Sequence, residues 1–130
     1  MPLTGPVDRR IPRRNLRGEG ARGEEIAAGF LAARGYRIVE RNFRHRRTGE
    51  IDIVARDGED LVFCEVKMRT NDAFGPPEYA VTWSKQETIR RVASAYLAIH
   101  GITGRSCRFD VVTIVEGGGP PAITLFKNAF

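Results

Sequence analysis

Sulfur and imidazole are scarce in this chain. Among 130 residues there are two cysteines, Cys64 and Cys107, and two histidines, His45 and His100. That excludes a disulfide scaffold and a cysteine or histidine zinc cluster, because either needs several such ligands close together. No apolar run approaches the roughly 20 residues that cross a bilayer, and the N-terminus lacks the apolar core of a signal peptide. A cytoplasmic protein with no membrane partner is expected. What remains is a chain long enough for one ordinary hydrophobic core, with seven Phe, three Tyr and one Trp to help fill it.

The net charge of +5 is unevenly spread. Residues 1–22 hold six arginines against two acids, which leaves a net charge of only +1 for the rest. The chain therefore divides into a basic, Pro/Gly/Arg-rich tail over 1–21, read as disordered, and a single domain over 22–130. The tail fits equally a sequence-independent phosphate contact and a merely soluble extension. Inside the domain, Arg41, Arg44, Arg46 and Arg47 cluster with His45 just before an acidic segment.

A helix is predicted from Arg22 to Arg34, stopped by Gly35. Its apolar stripe is Ile26, Ala27, Phe30 and Leu31, which puts Glu24 at the inner edge and Glu25 outside. Strands follow at Tyr36–Phe43, Glu50–Ala55 and Leu61–Lys67, then a loop from Arg69 to Pro77 and a short helical turn from Pro77 to Val81. A second helix begins with Ser84 as N-cap and Glu87 closing a capping box, carries Ile89, Val92, Ala93, Tyr96 and Leu97 inward, and stops near Gly101. Lys85 in its first turn opposes the helix dipole, a conflict that a nearby anion would relieve, although a solvated lysine is an equal reading. Strands at Arg108–Val115 and Ile123–Phe126 complete an α-β-β-β-α-β-β order, an α/β domain with a mixed central sheet flanked by helices. Asp110 shares a face with Arg108, Val112 and Ile114, a place where a structural arginine partner is the usual explanation.

Alternation places Glu50, Asp52 and Val54 on one strand face, with Ile51, Ile53 and Ala55 on the other. Leu61, Phe63, Glu65 and Lys67 likewise share a face. With Asp57-Gly58-Glu59-Asp60 as the turn, the register sets Asp52 opposite Glu65 and Glu50 opposite Lys67. Opposed side chains lie about 4.5–5.5 Å apart, where two carboxylates repel. A hard divalent cation such as Mg²⁺ or Mn²⁺ would resolve that repulsion. Lys67, roughly 7 Å beyond Glu65 by the strand rise, could then face a scissile phosphate. A solvated charged face is the plain alternative, and the paired carboxylates weigh against it.

The motifs Gly23-Glu24-x-x-Ala27, Asn42-x-Arg44, Gly49-Glu50-Ile51-Asp52-Ile53-Val54-Ala55, Leu61-Val62-Phe63-x-Glu65-Val66-Lys67-x-Arg69 and Arg108-Phe109-Asp110-Val111-Val112, with the terminal Asn128-Ala129-Phe130, together resemble the YraN family of small bacterial proteins. That family is similar to the restriction-endonuclease-like fold of Holliday-junction resolvases. The resemblance implies Asp52 and Glu65 as metal ligands, Lys67 as the catalytic lysine, Glu24 as the acidic residue of the first helix and Lys85 as the basic residue of the later one. Ile51 stands where many such nucleases have proline. The expected function is a divalent-metal-dependent nuclease on DNA, with branched or otherwise structured forms as the expected substrate and Arg44, Arg46, Arg47, Arg69 and Lys85 on the phosphate backbone. A non-catalytic binding or adaptor module and an RNA-directed nuclease stay open. So does a homodimer, the state in which junction-cutting relatives act.

Overall fold

The computed structural model describes residues 15–70 and 81–130. The elements are α1 (Asn15–Ala33), β1 (Arg37–His45), β2 (Gly49–Asp57), β3 (Asp60–Arg69), α2 (Trp83–Ile99), β4 (Cys107–Val115) and β5 (Ala122–Phe126). Their order and type are those predicted. The five strands lie in the order β1-β2-β3-β4-β5, antiparallel except for the β3–β4 pair, which is parallel. A parallel pair needs a crossover, and α2 supplies it. This mixed sheet with a helix on each face is the α/β core of the restriction-endonuclease-like fold.

Each helix covers its own apolar layer. Ala27 and Leu31 of α1 pack with Tyr36, Ile53, Ala55, Val62, Cys64, Val112 and Ile114. Ile89, Val92, Ala93 and Tyr96 of α2 pack with Ile51, Val54, Leu61, Phe63, Val81 and Val111 on the other side. Leu61 to Cys64 and Val111 to Ile114 are buried on both faces, as expected of strands at the parallel seam.

Local structure departs from the sequence reading in three places, and one further expectation lies mostly outside the described residues. Helix α1 begins at Asn15 rather than Arg22, so its first turns run into the stretch read as tail, while residues 1–14 lie outside the described residues. The N-cap of α2 is Thr82, not Ser84: its hydroxyl accepts the Lys85 backbone N–H at 3.1 Å, and the helix starts one residue later at Trp83. The helical turn predicted from Pro77 lies outside the described residues as far as 80, and Val81 is a buried bend. The β2–β3 turn is tighter than predicted, since Asp57 pairs with Asp60 and only Gly58 and Glu59 lie between; the register is unchanged. Gly58, with φ 63, supplies the left-handed conformation that such a two-residue turn demands.

The strict alternation predicted for β2 also fails, with consequences for the site. Ile51 packs beneath α2, whereas Ile53 and Ala55 pack beneath α1. The facing strand shows the same reversal. Arg41, partner of Ile53, reaches Glu25 of α1 at 3.0 Å, while Phe43, partner of Ile51, meets the Tyr96 ring of α2 edge-on at 5.0 Å. Between them stands Asn42 with φ 55, a left-handed residue within a strand. The hairpin thus turns over by one residue at Asn42 and Asp52.

Candidate functional site

The site lies where the sheet forks. β2 stays paired with β1 down to Gly49, but its pairing with β3 stops at Ile53 and Cys64. Beyond that point β3 continues only alongside β4, as far as Arg69 and Val115. Asp52 therefore does not pair across the ladder with Glu65, nor Glu50 with Lys67, as the register had predicted. Instead the Asp52 carboxylate spans the fork and accepts the backbone N–H of Val66 at 2.8 Å.

The turn in the hairpin decides which carboxylates meet. With Ile51 beneath α2, its neighbours Glu50 and Asp52 face α1 and Glu24. Oxygens of Glu24, Glu50 and Asp52 lie within 4.8 Å of one another. Gly23 makes the close approach possible, since a Cβ there would stand 3.2 Å from Met68 Sδ. Glu24 turns inward and Glu25 outward, as the helical stripe predicts. Glu65 arrives from the opposite face, in step with Leu61 and Phe63, and meets Asp52 through the fork. Its residue is 4% exposed. One oxygen, Oε2, lies 3.4 Å from Lys85 Nζ; the other, Oε1, is buried with no hydrogen-bond partner.

Crowding and burial act on Glu24, Glu65 and Asp52. Burial, reinforced by the charge of Asp52, pushes Glu24 up to about 8, against the opposing effect of a hydrogen bond from Asn42. Burial and Asp52 push Glu65 up to about 7, with Lys85 and Lys67 pulling the other way. Asp52 is also raised by burial, opposed first by the Val66 N–H bond.

Glu24, Asp52, Glu65 and Lys67 line one cleft of about 400 Å³, together with Arg22, Arg69 and Glu116. An Arg22–Glu116 ion pair ties α1 to the end of β4 at its rim. Lys85 reaches the site from α2. Arg44 sits at the edge of the acidic group, 3.5 Å from Glu50. Arg46 and Arg47 lie exposed in the β1–β2 turn. The sequence reading put Glu50 on the same strand face as Asp52 but did not make it a metal-site residue, and it assigned no role to Asn42. The alternation that paired Glu50 with Asp52 was the available signal for Glu50.

Asp110 belongs elsewhere. Fully buried, it accepts from Tyr36 Oη, from Arg108 Nε and from the Asn128 backbone N–H at 3.0, 3.0 and 2.9 Å. Arg108 also binds Asp57 and Asp60 at 2.7 and 2.9 Å, clasping the β2–β3 turn, at the other end of these strands from the fork. It has the structural arginine partner that the sequence suggested.

Among the described residues no helix is long and apolar enough to cross a membrane. The profile of the Uncharacterised protein family UPF0102 matches residues 23–114. A UPF0102 protein of Geobacter metallireducens is 48% identical over 111 residues, covering 85% of this chain and 90% of the relative. Another, from Symbiobacterium thermophilum, is 50% identical over 112 residues, covering 85% and 94%. One from Moorella thermoacetica is 51% identical over 98 residues, covering 75% and 81%. The matched segment holds Glu24, Asn42, Glu50, Asp52, Glu65, Lys67 and Lys85, and the chain belongs to this UPF0102 family, the YraN family that its motifs resemble.

Proposed function

We propose that the chain is a divalent-metal-dependent nuclease that hydrolyses phosphodiester bonds in DNA, with a branched or otherwise structured form as substrate. The observation that supports this reading best is the buried, unpartnered Oε1 of Glu65 beside Asp52, in a cleft that also holds Lys67. A buried polar atom without a partner costs free energy and calls for an explanation. An all-oxygen donor set of carboxylates fits Mg²⁺ or Mn²⁺, and Asp52 and Glu65 would hold the ion, with Glu24 and Glu50 adjoining. When bound, such an ion polarises a phosphoryl oxygen and lowers the pKa of a bound water.

The chain's own groups do the rest. Lys67 brings a positive charge to the cleft, where it stabilises charge developing on the phosphate. Glu24, beside Glu50 and Asp52 in the cleft, orients the attacking water or joins the metal's shell. Arg44, Arg46, Arg47, Arg69 and Lys85 position the phosphate backbone without reading sequence. An enzyme of cellular DNA belongs in the cytoplasm, and sedimentation on a four-way junction reads whether two copies bind together.

The test is cleavage of linear, flap and four-way-junction DNA, and of matching RNA, with Mg²⁺ or Mn²⁺. Asp52→Ala and Lys67→Ala should each abolish product. Cutting by either variant at the parent's rate sinks the assignment. Salt-sensitive DNA binding without cleavage under any divalent ion would instead favour an adaptor module.

A further inference from the structure

The left-handed backbone of Asn42 stands across from Asp52, between the pairs Arg41–Ile53 and Phe43–Ile51. Non-glycine residues adopt this conformation uncommonly, asparagine among the most readily, and strain of this kind persists only where the surroundings enforce it. Here it coincides with the point where both strands of the hairpin reverse their facing. Without that reversal Phe43 would face α1 along with Arg41, and Ile51 would face α1 along with Ile53. Glu50 and Asp52 would then point toward α2 and away from Glu24. One residue thus sets which way the β2 carboxylates face, and with it whether they meet Glu24.

We propose that Asn42 is the positioning residue of this centre, turning the hairpin through its left-handed backbone so that Glu50 and Asp52 meet Glu24. The proposal rests on the metal-site reading only for its metal-dependent readout. Asn42 is not a ligand and touches no substrate in this account.

Two substitutions separate the backbone from the amide. Asn42→Gly keeps left-handed freedom and deletes the amide; Asn42→Ala removes both. In the full chain, Asn42→Ala should melt about 4 °C below Asn42→Gly, the shift that roughly 1 kcal/mol of left-handed strain produces in a domain of this size. Mn²⁺ affinity, read by electron paramagnetic resonance of the free ion, should be about tenfold lower in Asn42→Ala than in Asn42→Gly, the usual loss when a group orienting a ligand is removed. A metal-free double-mutant cycle in melting between Asn42→Ala and Asp52→Ala should be non-additive.

An additive cycle overturns the coupling of Asn42 to the β2 carboxylates, as does equal Mn²⁺ affinity in the alanine and glycine variants. Equal melting of the alanine and glycine variants overturns the backbone's role. If the parent itself binds no Mn²⁺, the metal-site reading fails, and the metal-free cycle still decides whether Asn42 and Asp52 act together.

Discussion

Lys85 Nζ lies 3.4 Å from Glu65 Oε2, so one oxygen of a buried carboxylate is matched by an ammonium while the other is left unmatched. Lys85 is placed by the Thr82 cap, which fixes the first turn of α2. A cation on Glu65 would share that carboxylate with Lys85. Removing the ammonium with Lys85→Met is therefore expected to tighten Mn²⁺ binding severalfold, while raising the KM for DNA through loss of a phosphate contact. Titration with Mn²⁺ and steady-state cleavage check the two effects. Weaker Mn²⁺ binding would show that Lys85 organises Glu65 rather than competing for it.

Stability without metal should fall as the solution is made more alkaline. Glu65 and Glu24 have folded values pushed up to about 7 and about 8, above the 4.5 of an unperturbed glutamate. Each therefore contributes stability that is fully present below about 4.5 and is lost as the pH rises through its folded value. Melting temperature measured from about pH 5 to about pH 9 should decline, and Glu65→Gln should flatten the decline because it cannot ionise. A melting temperature that rises over that range would contradict the buried placement of these acids.

Arg108 is expected to matter for stability and not for the fork. It is the cation for fully buried Asp110 and for Asp57 and Asp60 at the β2–β3 turn. Arg108→Ala leaves a buried carboxylate without its cation, at a cost of about 3–5 kcal/mol in denaturant unfolding. Arg108→Lys should recover little, since an ammonium cannot reproduce the guanidinium's several directed bonds. Folded Arg108→Ala should bind Mn²⁺ as the parent does.

Gly49 is constrained twice. Its φ is 152, and a Cβ there would lie 2.6 Å from Thr88 Cγ2 on α2. Gly49→Ala should cost about 1–3 kcal/mol by overpacking, measured by urea unfolding. Adding Thr88→Ser, which removes that methyl, should restore part of the loss and leave the backbone strain. Full additivity of the two substitutions would mean that the contact is not the cause.

The type and order of every element follow from patterns of a few residues. Apolar spacing marks Ala27 and Leu31 on one helix and Ile89, Val92 and Tyr96 on the other, and these side chains are buried as read. Gly35 and Gly58, with φ 94 and 63, end a helix and close a turn because local sterics demand glycine there. Glu24, Asp52, Glu65 and Lys67 could be picked out as residue types at suggestive spacings, and all four line one cleft. Helix starts were less legible. Apolar spacing says nothing about the polar stretch Asn15–Ala21, and Thr82 and Ser84 are equally good capping residues by type.

By itself the sequence determined the type and order of its strands and helices, the turn register from Asp57 to Asp60 and the inward cast of Glu24, because each depends on neighbours a few bonds away. Only the tertiary structure decided that Glu50 joins Glu24 and Asp52, that Asp52 bonds Val66 rather than facing Glu65, and that Lys85 of α2 meets Glu65. Those contacts depend on a left-handed Asn42 that breaks alternation and on a fork opened where β3 leaves β2 to run beside β4. Alternation along one strand cannot register either event, since each arises from the packing of two helices on opposite faces of one sheet.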